Sequence, residues 1–286
     1  MKARVNGTEL YFDVEGPGLV AEGPAMIERP VVMALHGGPG GDHVSLRDSL
    51  SPLSDSAQFI YLDHRGAGRS ATADPATCTL DQNIDDVDAL REHLGLDRIS
   101  VLGVSYGGMV AQGYAIRYPE RVTNLMLVVT APSYRFLDDA RRIVKERGSP
   151  EQQRVCQRLW AGAFTSIEQL HEYYRVMGPL YSTTFDEQKF EINWNRSRRN
   201  CEPLNTGFGG FLQTFDFTED LSAILCPTLV ICGAHDWICA PSHSREIAAE
   251  IPRAHLKIFR NSAHAVMADE PEAFRQVIRG FLRYSE

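Results

Sequence analysis

Short, nearly continuous apolar runs, spaced along the chain between stretches of helical periodicity, constrain this fold more than any other feature. They fall at residues 31–35 (Val31-Val32-Met33-Ala34-Leu35), 59–62, 99–102, 125–129, 228–232 and 256–259. A strand that is apolar at successive positions leaves no side for water, so its sheet must be covered on both faces. The intervening segments supply the covers. Residues 79–94 place Ile84, Val87, Leu90 and Leu94 on one helical face, with Thr79 and Gln82 spaced as a capping box. Helices are also expected over 109–118, stopped by Pro119, over 242–251 and over 271–284. Strand and helix in alternation imply a mostly parallel sheet.

Two more strands are expected at the N-terminus, over 2–5 and 9–14, joined by the tight-turn pair Asn6-Gly7. The Gly/Pro-rich stretch 16–24 reads as loop. The expected sheet therefore has eight strands. After the sixth the alternation stops, and residues 132–216 are helical in pattern, rich in Arg and Glu, without a buried-strand run. The reading is one α/β core built from residues 1–131 and 217–286, carrying a helical cap at 132–216. A chain of 286 residues is long enough for one such domain with an insertion.

The formal charge of −8 argues against a nucleic-acid partner, which would call for a basic surface. No apolar segment opens the chain as a secretion signal would, and the richest apolar stretch, 221–234, is broken by Pro227, so no membrane partner is expected. The six cysteines form no C-x-x-C pair, which indicates neither a zinc site nor a redox motif, and reduced thiols in a cytoplasmic setting are expected.

Chemistry is concentrated in four loops. Gly103-Val104-Ser105-Tyr106-Gly107-Gly108 lies between a strand and a helix, a G-x-S-x-G pattern that exposes Ser105 as a nucleophile at a sharp, strained turn. His36-Gly37-Gly38-Pro39-Gly40-Gly41 follows the third strand, and glycines there let backbone approach a reacting carbonyl closely. The amides of Gly38 and Tyr106 are the expected oxyanion donors. His36 is read as packing that loop rather than as a base. In this fold the order is nucleophile, acid, then base. That order leaves His264, in the polar loop between the last strand and the closing helix, as the base. Asp236, the carboxylate of the loop after 228–232, would then orient it. Ser105, Asp236 and His264 form the expected catalytic triad.

The H-G-G-P-G element, with Asp63-His64-Arg65-Gly66-Ala67-Gly68-Arg69-Ser70 and the Ser105 motif, resembles the prolyl iminopeptidases and related serine aminopeptidases. The resemblance implies the α/β-hydrolase fold, a helical cap over the site, no metal or organic cofactor, and a structural role for the 63–70 loop. The family holds a substrate's amino group with cap glutamates. Here no carboxylate occurs between Glu202 and Asp216, and Glu187, Glu191 and Glu202 are the acidic candidates. Arg196, Arg198 and Arg199 read as a solvated helix face, with recognition of a substrate carboxylate as the other option. Trp160, Phe164, Tyr173, Tyr174, Tyr181, Trp194, Phe208 and Phe211 are expected mostly to pack the cap onto the core, some lining an apolar pocket.

The expected activity is hydrolysis of ester or amide bonds in a small molecule or short peptide, through an acyl-enzyme on Ser105. An N-terminal peptidase and a carboxylesterase or lactonase are the rivals within it. A triad-bearing receptor with poor turnover, or acyl transfer to an alcohol or amine, are the alternatives. Sequence assigns no substrate-binding residue.

Overall fold

The computed structural model describes residues 1–284. Its strands are β1 (Lys2–Val5), β2 (Thr8–Glu15), β3 (Leu19–Glu22), β4 (Ala25–Glu28), β5 (Val31–Leu35), β6 (Gln58–Leu62), β7 (Ile99–Val104), β8 (Val122–Val128), β9 (Thr228–Gly233) and β10 (Ala254–Phe259). Its helices are α1 (Val44–Leu50), α2 (Leu80–His93), α3 (Tyr106–Arg117), α4 (Phe136–Arg147), α5 (Pro150–Ala161), α6 (Ile167–Tyr181), α7 (Glu187–Arg196), α8 (Cys201–Phe208), α9 (Pro241–Glu250), α10 (Val266–Asp269) and α11 (Pro271–Tyr284).

Eight strands form one sheet in the order β1-β2-β6-β5-β7-β8-β9-β10. Only the β1–β2 and β2–β6 pairings are antiparallel; the others are parallel. Alternate residues of each apolar strand serve opposite faces. Met33, Leu35, Val101, Leu125 and Leu127 pack with Ile84 and Val87 of α2 and Val110 and Tyr114 of α3. Val32, Ala34, Leu102, Met126 and Val128 pack with Leu46 of α1 and with Phe274, Ile278 and Leu282 of α11. Each layer of helices thus covers one face.

Three local expectations are corrected. Part of the 16–24 stretch, read as loop, carries β3, which pairs antiparallel with β4 around Gly23-Pro24. Both strands are largely exposed, so no buried face marks them in sequence. Helix α3 begins at Tyr106 instead of 109, taking in Gly107 and Gly108, because close tertiary packing there outweighs the poor helix propensity of glycine. At α2, Thr79 accepts from the Gln82 amide at 3.1 Å, but the Gln82 side chain donates to Asp86 at 3.2 Å. Only half of the capping box is therefore formed.

Between β8 and β9 the chain makes five helices, α4 to α8. Both ends of this insertion are stitched together: the Tyr134 amide donates to Phe215 and that of Phe217 to Pro132, at 2.8 and 2.9 Å. Among the described residues no helix is long and apolar enough to cross a membrane, and all six cysteines are free thiols.

Candidate active site

Ser105 stands between β7 and α3 with φ +55° and ψ −118°, a left-handed conformation costly for a residue with a side chain. The surroundings over-determine it. Its amide donates to Val128 at 2.8 Å and its carbonyl accepts from the Thr130 hydroxyl at 2.7 Å. A Cβ on Gly103 would sit 2.2 Å from the Gly107 carbonyl oxygen, and one on Gly107 would sit 2.3 Å from that of Leu35. Backbone cannot yield at either point, so both positions must be glycine.

The loop after β5 passes over this turn, and a Cβ on Gly37 would lie 3.2 Å from that of Ser105. His36 holds the loop from within. Its Nδ1 donates to the Gly37 carbonyl at 2.7 Å, and its Nε2 accepts the His64 amide at 3.1 Å, an arrangement that requires the neutral ring. Burial lowers its pKa, outweighing the Asp63 carboxylate nearby. His36 is thus a fastener. Neither the Gly38 nor the Tyr106 amide donates to another backbone carbonyl among the described residues. The Tyr106 amide also opens helix α3, whose N-terminus favours developing negative charge.

The 63–70 loop is fastened in the same way. Asp63, fully buried, accepts from the amide and Nδ1 of His43 at 2.9 and 2.7 Å and from the Arg69 amide at 2.8 Å. Burial alone would raise its pKa, but the His43 hydrogen bond and the neighbouring His36 bring it below the usual range. Arg65 clasps Asp86 of α2 through two hydrogen bonds of 2.9 and 2.7 Å.

Asp236 and His264 come from the loops after β9 and β10, tied by the His235 amide to the Ser262 carbonyl at 3.0 Å. His264 Nδ1 donates to Asp236 Oδ2 at 2.7 Å, and Asp236 Oδ1 accepts the amides of Ile238 and Cys239 at 2.9 and 3.0 Å. Ser105 and His264 line one cavity of about 300 Å³, although the Ser105 hydroxyl makes no hydrogen bond to the imidazole here. Such contacts commonly tighten only once substrate is seated. Cys239 shares the cavity, but burial and the adjacent Asp236 push its thiol well above the ordinary range, leaving it a poor nucleophile.

From the insertion, Tyr174, Tyr181, Arg199 and Phe208 face the same space. Tyr181 sets its ring edge-on to His264, and its carbonyl accepts the Ala265 amide at 2.8 Å. The acidic candidates lie elsewhere: Glu187 pairs with Arg175, Glu191 with His171, and none of the three glutamates lines the cavity. Asp42 does, but it is occupied by the Arg69 guanidinium at 3.3 Å and the Arg198 amide at 2.7 Å. The arginine reading divides. Arg196 pairs with Asp48 and Arg198 is exposed, as a solvated face requires, whereas Arg199 turns inward. No local pattern distinguishes it from its neighbours. Among the described residues no cluster of His, Cys, Asp and Glu is placed to hold a metal ion.

Residues 30–271 match the sequence profile of the alpha/beta hydrolase fold family. The chain is 34% identical over 284 residues to the proline iminopeptidase PfmaB of Pestalotiopsis fici, covering 97% of each. It is 28% identical over 291 residues to a proline iminopeptidase of Clostridioides difficile, covering 98% of this chain and 96% of that one. The crystal structure of a Mycobacterium smegmatis proline iminopeptidase superposes with a TM-score of 0.79 at 23% identity, over 100% of this chain and 98% of the other.

Proposed function

Since this chain belongs to the alpha/beta hydrolase fold family, among its proline iminopeptidase-like members, and is a hydrolase, we propose that it works as a serine hydrolase on small ester or amide substrates. Ser105 Oγ attacks the substrate carbonyl carbon while His264 Nε2 takes its proton. Negative charge moves to the carbonyl oxygen, where the amides of Gly38 and Tyr106 receive it. His264 then hands the proton to the departing alcohol or amine as the C–O or C–N bond breaks, leaving an acyl-enzyme. Water, deprotonated by the same imidazole, attacks that ester and releases the acid. Asp236 keeps the Nδ1 proton in place throughout and stabilises the imidazolium. Residues 132–216 act as a lid that closes the cavity from above.

The observation that carries this reading is the 2.7 Å contact from His264 Nδ1 to Asp236, in a cavity that also holds Ser105 on its strained turn. A fluorophosphonate probe followed by intact-protein and peptide mass analysis tests it. Wild type is expected to gain one adduct on Ser105. Ser105→Ala is expected to gain none while melting within about a degree of wild type, since the hydroxyl it removes makes no hydrogen bond among the described residues. Labelling that persists in the variant refutes the nucleophile.

Between the rival substrates, the cavity's charge favours an esterase or lactonase over an aminopeptidase. A substrate ammonium buried without a counter-charge is costly, and among the described residues the one carboxylate lining the cavity, Asp42, is engaged. Short acyl esters are expected to turn over faster than proline or alanine naphthylamides; the reverse order restores the peptidase reading.

A further inference from the structure

We propose that Arg199 is an anion-recognition residue of this cavity, and that the substrate carries a free carboxylate besides the bond that is cleaved. The proposal rests on the hydrolase reading above and narrows its substrate class.

Arg199 belongs to the short connection between α7 and α8, and its backbone is bracketed. On one side the Arg198 amide donates to Asp42 at 2.7 Å; on the other, the Asn200 amide donates to the Gly40 carbonyl at 2.9 Å. The Asn200 side chain adds a hydrogen bond to the Gly66 carbonyl at 2.8 Å. This stretch of the insertion is therefore docked directly on the loop that carries Gly38.

The side chain is held as firmly. Its guanidinium carbon lies 4.8 Å from the centroid of the Tyr174 ring and 4.9 Å from that of Trp194. Both contacts are cation–π and hold the planar group by its faces, and its terminal Nη groups make no hydrogen bond among the described residues. Nε is buried and has no hydrogen-bond partner in the protein. Several other arginines of the insertion have carboxylates: Arg158 pairs with Glu172, Arg175 with Glu187 and Arg196 with Asp48. Arg199 has none among the described residues, and Asp42 is already taken.

A fixed, always-charged fork with open donors, in an otherwise largely apolar cavity of about 300 Å³, matches a carboxylate, whose two oxygens accept from two N–H groups at once. The single cation balances one carboxylate group, whereas a phosphate concentrates two negative charges on one site. A substrate ammonium would be repelled.

The test compares the p-nitrophenyl monoesters of succinic, glutaric and adipic acids with the p-nitrophenyl esters of butyric, valeric and hexanoic acids. The readout is the ratio of kcat/KM, charged over neutral, at each chain length. In wild type at least one ratio is expected to reach about 10- to 100-fold, the worth of a hydrogen bond to a charged group, carried mainly by KM. Arg199→Gln is expected to bring it to about unity, and Arg199→Lys to retain part of it. Should the Gln variant not fold, Arg199→Met keeps an apolar stem between the two rings and serves instead. A ratio at or below unity at every length, or one that survives removal of the guanidinium, overturns the proposal.

Glutarate binding separates this proposal from the reading beneath it. At ten times its Kd, glutarate is expected to raise the wild-type Tm by about 2–4 °C, with glutaramide and the Gln variant giving no shift. If no ester turns over and no probe labels Ser105, but glutarate still binds through Arg199, the hydrolase reading fails and the anion site stands. If esters turn over without charge preference and glutarate shifts nothing, the anion site fails alone.

Discussion

Both carboxylate oxygens of Asp236 are engaged: one takes two backbone amides and the other takes His264. That saturation decides what an isosteric replacement would do. In Asp236→Asn the amide oxygen must stay with the Ile238 and Cys239 N–H groups, so the NH₂ turns toward His264. The imidazole then has to accept at Nδ1, its proton moves to Nε2, and the nitrogen that should take the serine proton is blocked. We expect kcat to fall by about 10⁴-fold with KM little changed, measured under single-turnover conditions with an activated ester. A loss of tenfold or less would mean that another group orients the base.

At the scale of elements, the loop after β6 shows how the glycine-rich loops are kept rigid. Arg65 and Asp86 are buried, and the carboxylate also accepts from Asn6 at 3.1 Å. The pair locks the loop to α2 and to the turn between β1 and β2. Arg65→Met removes one charge and strands the other, at a cost of about 3–5 kcal/mol by urea denaturation. Adding Asp86→Leu is expected to recover much of that loss, because two apolar side chains leave no uncompensated charge. Equal instability of the single and double variants would show that shape, not charge, makes the clasp. The strands β5, β7, β8 and β9 were legible because full burial demands apolar residues in succession. Hairpin β3–β4 was not, because exposed strands place no such demand on sequence.

For the whole molecule, two buried histidines beneath the site link stability to pH. Burial lowers the pKa of His36, and burial followed by the nearby His36 lowers that of His64 further. Asp63, Asp42 and His43 also face His36. An unfolded chain takes up these protons below its ordinary value of about 6.5, whereas the folded chain resists until lower pH. Stability is therefore complete above that value and declines as pH falls through it. Asp63, whose folded pKa is depressed, adds a further loss only in stronger acid, below the unfolded carboxylate value. Tm is expected to drop between pH 7 and pH 5. His64→Phe, which keeps an aromatic ring against His36 and Tyr106, should flatten that slope. A Tm independent of pH over this range contradicts the assignment.

Side-chain periodicity is local, so sequence alone determined which buried segments become strands or helices and which face of each is covered, but not the exposed hairpin β3–β4. The G-x-S-x-G turn and the H-G-G-P-G loop were readable for the same reason: their glycines answer to steric limits set within a few residues. Chain order then singled out Asp236 and His264. Only the tertiary structure decided the chemistry of the cavity wall. Arg196, Arg198 and Arg199 are indistinguishable in sequence, and the one that turns inward is chosen by hydrogen bonds from its neighbours to Asp42 and Gly40, in a distant part of the chain. Backbone partners so far apart leave no periodic trace, which is why the cation in the pocket emerges only from the folded chain.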